Sequence, residues 1–304
     1  MKLLTSLIKG NGENDRFKKV GTGKVPKSAK HLYESKADEY LVAVKGLLCR
    51  SSGGTGDDEY YFAFVSILGY VNLSTGKKSS VRACMKYVIT PSEFEKRTYF
   101  DQFDKLTIYR VRAVAPKPVE TIKPDSPYYA GLFVLEAAEK NIENEFLQNL
   151  IEEYKKPVIL HTEGFGNFTL NKDYNFFEGK CDWCGEKIDI IFHLENGRQN
   201  AQKALQHFEE MYKDRENWDK KVRDFAAKKL TKLANQWLND ISEEDEVEKI
   251  TEEKFSGSIK IESIIITNRG KLEIYCNDAG FFLGHVIEIT GNLKSGLKSA
   301  NIEG

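Results

Sequence analysis

The stretch from residue 81 to residue 89, VRACMKYVI, decides how the first half of the chain folds. Its apolar residues alternate with the others, so that Arg82 and Lys86 fall on one side of a strand and Met85 and Tyr87 on the opposite side. A period of two is typical of a strand with one buried face. Because residues 106–114 repeat the alternation, the first half is predicted to contain several such strands.

Outward from this stretch, the first half carries more β-rich runs, at residues 41–44 and 60–65, with polar Gly-containing turns at 51–58 and 73–78. Four or more antiparallel strands at such short spacing are typical of a small barrel or a curled sheet. Apolar residues then recur at three- and four-residue steps from residue 135 onward, which predicts a helix that ends at the proline of position 157.

The second half is predicted to form strands, then helices, then strands again. Apolar stripes at residues 201–211 and 222–237 indicate two helices, and a short third helix is expected at 247–255. The predicted strands lie at residues 165–170, 174–181, 187–194, 258–267, 271–276 and 285–290. The fold class is therefore α+β, with a C-terminal antiparallel sheet that has helices packed on one face.

The charge distribution supports a division into parts. Residues 1–50 hold eleven basic and five acidic side chains, whereas the C-terminal part is acidic. A basic, Gly-containing start favours a solvated arm, with contact to an acidic surface as the functional alternative. We predict a flexible basic arm at 1–35, a β-rich domain at 36–134, a helical linker at 135–157 and an α+β domain at 158–304.

Length and composition exclude several classes of protein. The chain has 304 residues, of which 40% are hydrophobic, and 45 Lys and Arg against 46 Asp and Glu. These values exclude collagen-like and wholly disordered chains. No apolar run approaches the ~20 residues that a membrane helix needs, and the apolar stretch at the start is too short for a signal peptide. Five irregularly spaced cysteines form no disulfide framework, so we expect a cytoplasmic protein.

Several ordered motifs in the second half resemble one bacterial family. They are GFGNFTL at 164–170, NFFEG at 175–179, WDKKVR at 218–223, DAGFFLGHVI at 278–287 and GNLKSGL at 291–297. Together they are similar to the family called domain of unknown function 2262, over roughly residues 160–304. The resemblance implies a bacterial, cytoplasmic protein with a separate accessory domain upstream, and it brings no assigned reaction. Related small domains resemble members of toxin–immunity neighbourhoods, which would make this protein immunity-like.

Cys181 and Cys184 form the single C-x-x-C pair of the chain. A structural zinc site needs four ligands, and a redox pair needs its first cysteine at a helix start. Because this pair lies between two predicted strands, we favour free thiols and expect neither a metal nor another cofactor.

Asp278 and His285 flank a Gly-rich loop, where a carboxylate and an imidazole can act as acid–base partners. The alternative is that Asp278 and Gly280 form the turn and that His285 bonds a backbone group. We favour the turn, since no nucleophile and no anion-binding hole can be assembled around the pair.

Arg82, Lys86, Arg110 and Arg112 are candidates for a binding surface. If their strands are neighbours, these four cations lie on one exposed face, as in barrels that hold single-stranded nucleic acid. Solvated strand faces carry such residues routinely, so nucleic acid is the less favoured partner. We predict a non-catalytic protein-binding module whose partner is another protein or a second copy. The alternatives are a hydrolase-like enzyme that uses Asp278 and His285, and a single-stranded nucleic-acid binder.

Overall fold

The described strands form two separate sheets. A computed structural model describes residues 17–53, 60–80, 83–117, 131–194, 200–241 and 248–304. The chain divides into two compact units, Met1–Lys156 and Pro157–Gly304, called here the N-terminal and the C-terminal unit. Within the described ranges, every helix is too short or too polar to cross a membrane.

The N-terminal unit is built on a seven-stranded sheet that closes on itself. Its strands are β1 (Lys18–Lys19), β2 (Tyr33–Gly53), β3 (Tyr60–Asn72), β4 (Lys78–Ser79), β5 (Ala83–Ile89), β6 (Ile108–Pro116) and β7 (Phe133–Lys140). Strands β7, β5, β3, β2 and β6 follow one another, and β6 also pairs with β7. These pairings close a barrel, with β1 added beside β7 and β4 beside β3. The predicted small barrel is thus confirmed.

The alternation along the strands decides which side chains fill the barrel and which lie outside it. Met85 and Tyr87 of β5 and Val111 of β6 are fully buried in one cluster that fills the barrel. Their neighbours Lys86 and Arg110 have the opposite strand parity and lie outside, because successive side chains of a strand point to opposite faces. The strand faces predicted for the 81–89 stretch are therefore those observed in its described part.

Short helices complete the N-terminal unit. Those in the described part of the unit are the 3₁₀ helices Lys27–Leu32 and Thr98–Phe100 and the helices α1 (Pro91–Lys96) and α2 (Glu145–Lys155). Thr90 begins α1 with a capping box, in which its side chain accepts from the Glu93 N–H and the Glu93 carboxylate accepts from the Thr90 N–H. Helix α2 packs its buried Leu147 and Ile151 on the outside of the barrel.

Two expectations for this unit were wrong in part. The stretch from 135 to 140 is the larger part of strand β7 and not the start of a helix, because Glu136, Ala137 and Lys140 pair with β6 and the first two also pair with β1. Only Glu145–Lys155 of the predicted linker forms a helix, α2. Because α2 packs on the barrel, it is part of the N-terminal unit and not a free linker. Residues 17–35 of the predicted arm are likewise built onto the barrel, where Val20 and Ala29 are buried. The rest of the arm, at 1–16, lies outside the described residues.

The C-terminal unit holds an eight-stranded sheet with its strands in sequence order. The strands are β8 (Ile159–His161), β9 (Asn167–Asn171), β10 (Phe176–Trp183), β11 (Glu186–His193), β12 (Ile261–Thr267), β13 (Lys271–Cys276), β14 (Val286–Asn292) and β15 (Gly296–Glu303). All neighbours are antiparallel except β11 and β12. The connection between those two strands contains α3 (Gln202–Lys213), α4 (Arg215–Ile241) and α5 (Glu252–Ser258).

The helices of this unit cover one face of its sheet. Phe208 of α3 and Val222 of α4 share a single buried cluster with the inward-facing strand residues, such as Ile190 and Ile264. The predicted α+β class, with helices on one face, is therefore confirmed. The parallel pair was not anticipated, since it joins strands separated by all three helices.

Candidate interaction surface

The face of the C-terminal sheet that points away from the helices is called here the open face. Strand register places one residue of each strand in a continuous row across it. The row consists of Ile159, Thr169, Glu178, Ile191, Ile265, Glu273, Thr290 and Ser299. Each is at least partly exposed, so no described helix of this unit covers the row.

Apolar side chains lie on the open face. Ile191 and Ile265 are direct neighbours in its centre, and Ile159 at its edge is 42% exposed. At one end of β10, the ring of Tyr174, which is 73% exposed, stacks 6.0 Å from that of Phe176. Exposed apolar groups grouped on one surface mark interaction sites more often than isolated ones do.

Carboxylates outnumber cations on the same face. By strand parity the open face carries the carboxylates Glu178, Asp182, Asp189, Glu273, Glu288 and Glu303 and the ammonium groups Lys180, Lys187 and Lys271. Two of the lysines are already paired, Lys180 with Asp189 at 3.2 Å and Lys271 with Glu273 at 2.6 Å. The surface therefore offers apolar contacts surrounded by negative charge, which suits a basic protein surface.

Asp278 holds the loop between β13 and β14 together. Its carboxylate accepts hydrogen bonds from the backbone N–H groups of Gly280 (3.0 Å), Phe282 (2.9 Å) and Gly284 (2.8 Å). Burial disfavours the charged carboxylate, but these bonds outweigh burial and lower the pKa of Asp278. The same loop contains Leu283 with a φ of 56°, an uncommon conformation that the three bonds stabilise.

His285 is hydrogen-bonded to the backbone of the same loop. Its Nδ1 donates to the carbonyl oxygen of Phe282 at 2.6 Å, and its ring meets the indole of Trp237 edge to face at 5.4 Å. Each candidate catalytic group thus bonds the backbone of the loop, in agreement with the turn interpretation of this motif. Among the described residues, no hydrogen bond joins Asp278 to His285.

Cys181 and Cys184 are separated by strand geometry. Cys181 is buried in the core, and burial followed by the charge of Asp182 raises the pKa of its thiol to about 12. Cys184 is exposed in the hairpin turn, where it and Gly185 both have positive φ values, as a two-residue turn requires. Within the described ranges, no group of three or more metal-ligating side chains is assembled.

Lys86 lies among aromatic rings on the outside of the barrel. Its ammonium is 5.3 Å from the ring centre of Tyr33, 5.1 Å from that of Phe62 and 5.9 Å from that of Phe64. Burial lowers the pKa of Lys86, while cation–π attraction favours its charged form. No described carboxylate pairs with it. Lys86 therefore packs against its own domain.

Arg110 and Arg112 are bound to carboxylates. Arg110 donates from Nε (3.1 Å) and Nη2 (2.7 Å) to Glu39, and Arg112 donates to Glu39 (3.3 Å) and Glu136 (2.7 Å). Burial opposes the charge of Glu39, but both guanidinium groups outweigh it and lower the pKa of that carboxyl. The ring of Phe17 lies 4.2 Å from the guanidinium carbon of Arg112.

The structure does not place Lys86 on a strand next to the one that carries Arg110 and Arg112. Strand β7 lies between β5, which carries Lys86, and β6, which carries Arg110 and Arg112. Arg82 lies outside the described residues. The condition for a single basic face, that the two strands are neighbours, is therefore not met.

The open face was missed at the sequence level, although one signal was present. Ile191 and Ile265 are apolar residues at the outward parity of strands β11 and β12, beside fully buried Ile190 and Ile264. Consecutive isoleucines do not show which of them point outward, because each is equally suited to a buried position. Knowledge that the strands pair in register would have revealed two adjacent outward apolar residues.

Comparison with known proteins agrees with the two-unit architecture. Residues 162–302 match a family described as "Uncharacterized protein conserved in bacteria (DUF2262)", which confirms the resemblance based on the motifs of the second half. Residues 28–154 match "Domain of unknown function (DUF7021)". No curated protein matches the chain. The chain thus joins an N-terminal region that matches DUF7021 to a C-terminal region that matches the bacterial family DUF2262.

Proposed function

We propose that this chain is a cytoplasmic, non-catalytic protein-binding module that binds its partner through the open face. The observation that carries the proposal is the row across the sheet, in which Ile191 and Ile265 are adjacent and partly exposed between flanking carboxylates. A central apolar contact with a polar rim is the usual anatomy of a protein interface. The expected partner presents apolar side chains flanked by lysine or arginine.

The hydrogen bonds that the candidate catalytic groups make to the backbone support a binding role. Asp278 accepts three backbone N–H groups and His285 donates to a backbone carbonyl, so a substrate would have to displace bonds that shape the loop. The free thiols of Cys181, Cys184 and Cys276 support a location in a reducing cytoplasm.

The proposal is tested by affinity capture from the bacterial host. The full chain and its Ile191→Lys/Ile265→Lys variant are compared, because two added cations repel a basic partner and remove the apolar contact. The matched control is Leu73→Lys, which changes an exposed apolar residue of the N-terminal unit, 38% exposed. Melting curves establish that the variants fold.

We expect a protein retained by the wild type and by the control but lost by the open-face variant, with at least a tenfold rise in Kd when that protein is purified and titrated. Equal retention by all three chains would contradict the proposal. So would turnover of an ester, peptide, phosphodiester or nucleotide substrate that disappears in His285→Asn.

A further inference from the structure

Five lysines lie on one short segment of the N-terminal unit. The lysine segment, residues 18–30, contains Lys18, Lys19, Lys24, Lys27 and Lys30, all exposed. No aspartate or glutamate occurs between Phe17 and Tyr33. Among the described residues, none of these lysines has a carboxylate partner, so no described side chain neutralises their charges.

The barrel holds the backbone of this segment in place. Strand β1 pairs with β7, Val20 and Ala29 are buried, and the N–H of Thr22 donates to the carbonyl of Val88 at 3.0 Å. The 3₁₀ helix that ends the segment also presents Leu32, which is 41% exposed. Positive charge beside an apolar side chain is therefore displayed from an ordered backbone, which lowers the entropy cost of binding.

We propose that the partner of the open face is a second copy of this chain, which contributes its lysine segment. This inference rests on the proposed function, and it names the partner. The two surfaces are complementary in sign, since the open face carries six carboxylates against three lysines. They are complementary in apolar content as well, since the exposed Leu32 can contact the partly exposed Ile191 and Ile265.

The charge of the whole chain favours a copy over a nucleic acid. Residues 1–156 carry 25 basic and 20 acidic side chains, whereas residues 157–304 carry 20 and 26. A phosphate polymer attracted by the positive first unit is repelled by the negative second unit. A second copy, in contrast, offers each unit a surface of opposite charge. A reciprocal two-fold arrangement would place each lysine segment on the open face of the other copy.

The test is charge-swap complementation, measured by sedimentation of the full chain. The segment variant carries Lys18→Glu, Lys24→Glu and Lys27→Glu, and the face variant carries Glu178→Lys, Glu288→Lys and Glu303→Lys. The control variant carries three Lys→Glu changes on exposed helix positions, at Lys203, Lys228 and Lys232.

We expect the wild type and the control to dimerise at low salt, with a Kd at least tenfold weaker at 1 M salt, where the Debye length falls to about 3 Å. Each swapped variant alone should be monomeric, and an equimolar mixture should restore a complex because both contacts regain opposite charges. A mixture that stays monomeric would overturn the proposal.

A wild type that is monomeric at every concentration would also overturn it. If Ile191→Lys/Ile265→Lys still abolishes capture of a bacterial protein in that case, the proposed function stands and only the identity of the partner is wrong. Binding of a fluorescent single-stranded oligonucleotide by a monomeric wild type, lost in the segment variant but not in the control, would assign the lysines to nucleic acid.

Discussion

Asp278→Ala should destabilise the C-terminal unit strongly, because one side chain satisfies three backbone donors. The bonds from Gly280, Phe282 and Gly284 measure 2.8–3.0 Å, and Asp278 itself is 8% exposed. Each donor left unsatisfied costs ~1–3 kcal/mol when buried. Since water can reach part of this loop, we expect a total loss of about 4 kcal/mol, or roughly 8–16 °C in Tm for a unit of this size.

The assay is thermal and urea unfolding of the full chain, followed by circular dichroism. Asp278→Asn retains one acceptor oxygen and should lose about half as much stability. The matched control is Asp182→Ala, which removes one weaker bond, from the Gly185 N–H at 3.3 Å in an exposed turn. A loss below about 1 kcal/mol for Asp278→Ala, or one equal to that of the control, would refute the reasoning.

The stability difference should also depend on pH. The folded-state pKa of Asp278 is lowered, whereas an unfolded aspartate titrates near about 3.9. The stabilisation is therefore complete above the unfolded value and is lost as the pH falls through the folded one. The gap between wild type and Asp278→Ala should be constant from neutral pH down to about pH 5 and shrink below about pH 4. A gap that grows on acidification would show that the charge of Asp278 is not the cause.

Other changes have equally defined outcomes. Gly21→Ala should cost about 3 kcal/mol, since its φ is 55° and a Cβ would overlap the carbonyl oxygen of a neighbouring strand; Gly76→Ala, with a φ of 71° and open space around it, should cost only about 1 kcal/mol in urea titrations. Thr90→Ala should lower the stability of the N-terminal unit by about 1 kcal/mol through loss of its capping box, and no measurable change would contradict that geometry. Peptide-mapped thiol labelling of the native chain should modify Cys184 before the buried Cys181, and elemental analysis should find less than one zinc per chain; stoichiometric zinc lost in Cys181→Ser/Cys184→Ser would reverse the assignment.

Much of the local structure could be predicted because it depends on neighbouring residues. The alternation in β5, the apolar stripes of α3 and α4 and the turn that contains Gly185 each follow from a few consecutive positions. The bonds of Asp278 are of the same kind, since their donors lie within six residues of it.

The start of the predicted helix at 135 was wrong for a related reason. The segment Phe133–Lys140 is short and contains leucine and two alanines, which suit a helix as well as a strand. Pairing with β6 and β5 decided in favour of the strand, and such pairing leaves no trace in local spacing.

The sequence by itself determined the α+β class, most of the strands and the sign of the charge on each half, because these depend on composition and on short-range periodicity. Only the tertiary structure decided which surfaces exist. Glu39 lies 71 residues before Arg110 and forms an ion pair with it. Strand β7 lies between the strands of Lys86 and Arg110, and the parallel pair of β11 and β12 sets Ile191 beside Ile265. These contacts join residues far apart in the chain, and a pattern that repeats every two or four residues carries no information about which distant strand becomes its neighbour.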